Sequence, residues 1–164
     1  MRIVLDAGIL AAFLPVFATL TGAADGVPLP AGQIVESVAC SEDPGQTYSI
    51  YLPSTYTPDR NWPVIYAFDP GARGVLPVQR LQAAAERFGY IVIGSNVSRN
   101  FEPKLSLAAA NAMWADSHVR LAIDSRRVYT LGFSGGARLA AGLAVVSQDF
   151  AGVIACGAAF DPKH

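Results

Sequence analysis

The sequence predicts an α/β domain: a mostly parallel sheet with an antiparallel N-terminal start. Three observations carry that prediction. The early apolar segments alternate with period two, as half-exposed strands do. Later ones, such as Val64-Ile65-Tyr66-Ala67-Phe68, are continuously apolar, as strands covered on both faces are. Between the later segments lie stretches with helical spacing, so strand and helix alternate along the rest of the chain.

Residues 34–40 and 47–52 carry the period-two pattern, and Ser41-Glu42-Asp43-Pro44-Gly45-Gln46 between them is rich in turn formers. Together they predict a hairpin. An irregular stretch, 53–61, precedes the first covered strand at 64–68, after which a loop holds Gly71 and Gly74. A helix is predicted over 78–88, because Val78, Leu81, Ala85 and Phe88 recur at spacings of three and four, and Gly89 ends it. Residues 90–93 form the next covered strand. Residues 105–123 give the longest helical pattern, with Leu107, Trp114 and Leu121 on its packed side. A strand at 127–131 then runs into a glycine-rich turn, followed by a helix over 137–146 and a last strand at 153–156.

Residues 1–23 read as a secretory leader and 24–164 as one domain. The apolar run 7–20 is too short to span a bilayer comfortably and is followed by small residues suited to cleavage at Ala23 or Ala24. Its basic flank is poor, with Arg2 offset by Asp6. The expected location is secreted or periplasmic, with no stable membrane span. A net charge of -1 gives no basic excess for a nucleic-acid backbone. Cys40 and Cys156 are the only cysteines. In an exported chain they could pair, but Val153-Ile154-Ala155-Cys156 better suits a buried free thiol. With His118 and His164 they make no convincing zinc site.

The chemistry points to Gly132-Phe133-Ser134-Gly135-Gly136, a G-x-S-x-G pattern between an apolar strand and a helix. A strand turning sharply into a helix crowds its backbone, and the glycines at 132 and 136 remove the clashing Cβ atoms. Ser134 is thereby lifted into the open as a candidate nucleophile. The Gly135 amide, at the start of the helix, is a candidate oxyanion donor. A phosphate-binding turn is disfavoured, since no G-x-G-x-x-G or Gly-Lys-Ser/Thr run is present.

Residues 124–137, with Asp124, Arg127, Val128 and Tyr129 leading into the serine turn, resemble the nucleophile region of α/β-hydrolase superfamily serine esterases. The likeness is to polyhydroxybutyrate-depolymerase-like and feruloyl-esterase-like enzymes, is shared by prolyl-oligopeptidase-like peptidases, and extends over residues 47–160. It implies an α/β-hydrolase sheet with an oxyanion loop at Phe68-Asp69-Pro70-Gly71-Ala72-Arg73-Gly74. Where many relatives carry His-Gly, this chain has Pro70-Gly71, and Pro70 has no N–H. The expected donor is therefore the Ala72 amide, with Gly71 second. Arg73 reads as a solvated loop arginine, alternatively paired with Asp69 or meeting a substrate carboxylate. Asp69 precedes the nucleophile and so falls outside the order serine, acid, histidine.

A serine needs a base, and the base an orienting group. After Ser134 the acids are Asp149 and Asp161 and the imidazole is His164. Asp149 belongs to the loop leaving a helix, which leaves Asp161 and His164 as weak triad partners. His118 reads as a structural or solvated helix residue. The apolar strand at 153–156 would also form an open sheet edge. Both points lead to the expectation that this is the N-terminal part of a hydrolase, truncated after that strand; a strand-pairing dimer is the alternative way to cover the edge. The expected function is acyl transfer on a small-molecule ester, carboxylesterase-like, with no metal or organic cofactor and no nucleic-acid partner. The short chain itself is expected to be nearly inactive. A serine peptidase fragment and a non-catalytic binding or structural module are the alternatives.

Overall fold

The computed structural model describes residues 28–158. The leader reading at 1–23, and Asp161 and His164, fall outside the described residues. The strands are β1 (Ile34–Ala39), β2 (Thr47–Tyr51), β3 (Trp62–Phe68), β4 (Ile91–Ser95), β5 (Ile123–Phe133) and β6 (Gly152–Cys156). The helices are α1 (Val75–Phe88), α2 (Pro103–Arg120) and α3 (Gly135–Val146). They build one six-stranded sheet in the order β1-β2-β4-β3-β5-β6. β1 and β2 pair antiparallel, as do β2 and β4, whereas β4, β3, β5 and β6 run parallel. This is the mixed sheet the sequence predicts, hairpin included.

Alternation along the strands sorts the core into two faces. Val64, Tyr66 and Phe68 of β3, with Ile91 and Ile93 of β4, pack with Ala110 and Met113 of α2 and Ala140 of α3. Val92 and Tyr51 point the other way, onto Val78 and Ala85 of α1. A strand that buries both sets of alternate residues must be apolar throughout, which is why β3 and β4 read as continuous apolar runs. Glycine lets α1 approach the sheet: a Cβ on Gly74 would sit 2.3 Å from the Gly94 carbonyl oxygen. The helix consequently starts at Val75, three residues before its apolar periodicity becomes legible.

Two boundaries move further. α2 stops at Arg120 because Leu121 is already extended (φ -125, ψ 147). β5 then begins at Ile123, pairing with Trp62, before Val128 pairs with Val64. The extra residues between these pairs bulge outward and are tied down by Asp124, which accepts the Arg126 N–H (3.0 Å) and Arg127 Nε (2.7 Å). The Asp-x-x-Arg run ahead of the serine turn thus has a structural reason: it shapes the entry into the central strand.

The hairpin is anchored to α2 by a buried carboxylate. Asp116 accepts the Ser41 N–H and hydroxyl, both at 2.8 Å, the Tyr48 hydroxyl at 2.7 Å and Arg120 Nε at 2.7 Å. Burial alone would raise its carboxyl above the usual range, but the bonds from Arg120, Tyr48 and Ser41 outweigh burial and hold it below.

Both cysteines are free thiols; Cys40 is buried, and Cys156, expected to be buried, is exposed. The reason is the position of β6. It is the outer strand of the described sheet, with Val153 44% and Ile154 47% exposed, so its apolar side chains lack the cover their sequence implies. No helix among the described residues is long and apolar enough to cross a membrane.

Candidate functional site

β5 delivers the chain to the serine turn at the C-terminal edge of the sheet. Gly132 must be glycine because a Cβ there would lie 2.0 Å from the Gly136 carbonyl oxygen. Gly136 must be glycine because its Cβ would lie 2.1 Å from the Phe68 carbonyl oxygen, where α3 crosses the end of β3. Between them Ser134 is forced to φ 52, ψ -116, outside the backbone regions an L-residue ordinarily occupies. Its N–H donates to the Cys156 carbonyl (2.7 Å), and its own carbonyl accepts from Ala137 (3.0 Å) and Arg138 (3.3 Å) to start the helix.

A serine at the position before a helix ordinarily caps it with its hydroxyl. Ser134 makes no such side-chain bond. The hydroxyl of this half-buried serine is therefore not spent on the helix end. The first turn of α3 contains no acidic residue, so no carboxylate of that turn competes for the unpaired amides of the helix start.

The loop after β3 is built around Asp69. Its carboxylate accepts the Gly71 N–H at 2.8 Å and holds Arg73 through Nε (2.8 Å) and Nη2 (3.0 Å). Burial pushes the Asp69 carboxyl up, but Arg73 and the Gly71 amide outweigh it and keep it below the usual range. Arg73 is therefore an exposed arginine that is also paired, with 59% of its side chain accessible and its partner buried. Of the two donors expected from the sequence, the Gly71 amide is committed to Asp69, and Ala72 is half-buried at φ 58.

A third segment joins these two and gave no signal in the sequence. The loop after β4 is pinned by the Asn100 N–H to the Pro70 carbonyl (2.9 Å) and by a single antiparallel bridge between Arg99 and Gly71. Ser106 Oγ secures it from below, accepting the Arg99 N–H (3.0 Å) and donating to the Arg99 carbonyl (2.9 Å). Its Asn100 carboxamide lies directly against Gly135: a Cβ on that glycine would be 1.5 Å from Asn100 Oδ1. Beside the turn, a cavity of about 370 Å³ opens at the ends of β3, β5 and β6, walled by Phe68, Leu81, Leu131, Phe133 and Cys156, with Asp69 and Arg73 also on it.

No family model and no curated protein matches the chain. Solved structures do. An S-formylglutathione hydrolase from Staphylococcus aureus superposes with a TM-score of 0.63 at 14% identity, over 84% of this chain and 64% of that one. An acetyl xylan esterase from Aspergillus awamori gives 0.57 at 19% identity, over 76% and 53%. A poly(3-hydroxybutyrate) depolymerase from Bordetella parapertussis gives 0.54 at 18% identity, over 67% and 45%. The fold is that of the α/β-hydrolases.

The chain spans less than two thirds of each of these proteins, and the identities carry the esterase-like fold and nothing finer. The weak triad partners Asp161 and His164 lie outside the described residues, and His118 and Asp149, already set aside in the sequence, are engaged elsewhere. His118 packs on Trp114 at 4.1 Å between ring centroids, with Nδ1 2.9 Å from the Trp114 carbonyl and 3.3 Å from the Tyr66 hydroxyl. It is a packed helix-face histidine, as its setting in the sequence indicates. Asp149 is bound to Ser147 in the loop leaving α3. The described residues contain no cluster of three histidine, cysteine or acidic side chains fit to hold a metal ion.

Proposed function

We propose that this chain carries the nucleophile and the oxyanion donors of a serine hydrolase acting by acyl transfer on esters. The observation behind the reading is Ser134 itself: a non-glycine residue at φ 52, ψ -116, with its hydroxyl not used as a helix cap. Backbone strain of this kind costs roughly 1–3 kcal/mol and persists where the surroundings enforce it, characteristically at active sites.

The chemistry follows from the placement of donors. Ser134 Oγ attacks the ester carbonyl carbon as a base removes its proton. The carbonyl π electrons move onto oxygen, and the amides of Gly135 and Ala72 hold the resulting oxyanion. Collapse expels the alcohol, which takes the proton from the base, and leaves an acyl-serine. Water, giving a proton to the same base, then attacks the acyl carbon; the C–Oγ bond breaks, Oγ regains the proton and the carboxylic acid leaves. The base and its orienting carboxylate come from outside the described residues. The greater length of the similar structures favours a later part of a longer protein over Asp161 and His164. Names such as esterase and S-formylglutathione hydrolase among those structures support an ester or thioester as the substrate class. The reading of residues 1–23 as a leader supports a secreted or periplasmic location for the proposed enzyme.

The test is acylation by p-nitrophenyl esters in buffers with and without added imidazole, a small diffusible substitute for the base. Acyl transfer to Ser134, slow alone and faster with imidazole, is the expected result, and Ser134→Ala removes it. Indifference to Ser134→Ala, together with saturable ligand binding, would instead favour a non-catalytic module. Full turnover without imidazole would overturn the assignment of the base to a part beyond this chain.

A further inference from the structure

We propose that the Asn100 carboxamide is a side-chain donor to the oxyanion, alongside the amides of Gly135 and Ala72. The inference rests on the reading of Ser134 as nucleophile and goes beyond it by adding a catalytic group. It begins with a glycine the strand-to-helix turn does not by itself require. Gly132 and Gly136 are glycines because backbone carbonyl oxygens approach them, whereas the space at Gly135 is filled by a side chain. A Cβ on Gly135 would lie 1.5 Å from Asn100 Oδ1, 2.6 Å from Cγ and 3.2 Å from Nδ2. The absence of a side chain at 135 is what lets the carboxamide lie against the first turn of α3.

The loop is built to hold it there. The Asn100 N–H is bound to the Pro70 carbonyl, two residues before Ala72, and the neighbouring Arg99 bridges to Gly71. Asn100 is thus attached through its backbone to one proposed donor loop and through its side chain to the other. Its carboxamide makes no hydrogen bond to any described residue. Nδ2 is farther from Gly135 than Oδ1, and its N–H groups meet no acceptor among the described residues. A half-buried amide donor without a partner, next to the residue whose N–H stabilises the developing charge, gains its partner when the tetrahedral oxyanion forms. Phe101, which follows, is 98% exposed at φ 64, and this sharp reversal sends the chain away immediately after Asn100.

The experiment measures phosphonylation of Ser134 by a p-nitrophenyl phosphonate in imidazole buffer, using the full chain. Rate constants come from p-nitrophenolate release, and the site from peptide mapping. Asn100→Ala should lower the limiting rate about 100-fold, the usual loss for one oxyanion donor. The concentration giving half that rate should change little, because the bond forms only with the developing charge. Asn100→Asp, nearly isosteric but without the donor, should be at least as slow. A packing role would not produce this split. Gly135→Ala, which displaces the carboxamide, should slow the parent but have a much smaller further effect on Asn100→Ala. Thermal unfolding of each variant verifies that it is folded. Labelling of Ser134 at an undiminished limiting rate in Asn100→Ala overturns the role of Asn100 and leaves the nucleophile standing. Failure of the parent chain to label at Ser134 removes both.

Discussion

Replacing Ser134 with glycine should stabilise the fold while destroying the chemistry. At φ 52, ψ -116 a residue with a Cβ bears a backbone penalty of roughly 1–3 kcal/mol, and glycine adopts that region freely. Glycine also loosens the unfolded chain, which costs about 0.4–1 kcal/mol. The hydroxyl makes no capping bond, so its removal subtracts little. The net expectation is a gain of roughly 0.5–2 kcal/mol, a rise in midpoint temperature of a few degrees. Ser134→Ala is the control: it keeps the Cβ and the strain and should leave stability within about 0.5 kcal/mol of the parent. Urea unfolding of the three proteins, with the slope unchanged, measures the difference. If Ser134→Ala is as stable as Ser134→Gly, the backbone at this position is not strained, and the principal observation behind the functional reading is lost.

Gly136→Ala should destabilise the protein by at least about 2 kcal/mol, because its Cβ would strike a backbone carbonyl that cannot swing away; denaturant midpoints measure it. Asp116→Asn should cost roughly 3 kcal/mol near neutral pH, since it leaves Arg120 without its buried partner. The Asp116 carboxyl is held below its unfolded value, so its stabilisation is complete above about pH 4 and is lost as the pH falls through the folded value. The gap between parent and Asp116→Asn should therefore narrow only in acid. A thiol reagent should modify Cys156 quickly and Cys40 only after unfolding. Cys40 is buried, and burial, reinforced by Asp116, pushes its thiol up to about 11. Mass spectrometry of the native and denatured protein would show one label and then two.

What the sequence disclosed, and what it did not, follows from how far each signal reaches. β3 and β4 were legible because they bury both faces, whereas β2, read as a half-exposed strand, is buried from Tyr48 to Tyr51, and its polar alternation gave its position but not its burial. The serine turn was legible because its two glycines flank Ser134 closely in sequence, and the crowding at Gly132 is local, although that at Gly136 comes from the distant Phe68 carbonyl. The first part of β5 was hidden: Asp124, Ser125, Arg126 and Arg127 interrupt the apolar pattern while still belonging to the strand. Cys156 was misplaced because an apolar strand reads as buried whether or not a neighbour covers it. The loss of the Gly71 amide to Asp69 depends on a side-chain rotamer, which no periodicity reports. Asn100 was missed for a related reason. It is a polar residue in a loop, and its importance comes from two contacts distant in sequence, with Pro70 and with Gly135.

The central claim is that Ser134 is a nucleophile at the edge of this sheet. Its most direct test is to treat the folded protein with a reporter-tagged phosphonate in imidazole buffer and map the adduct. The account predicts a single adduct on the peptide containing Gly132-Phe133-Ser134-Gly135-Gly136, absent in Ser134→Ala and absent after denaturation. An adduct elsewhere, or none on the folded chain, would contradict it.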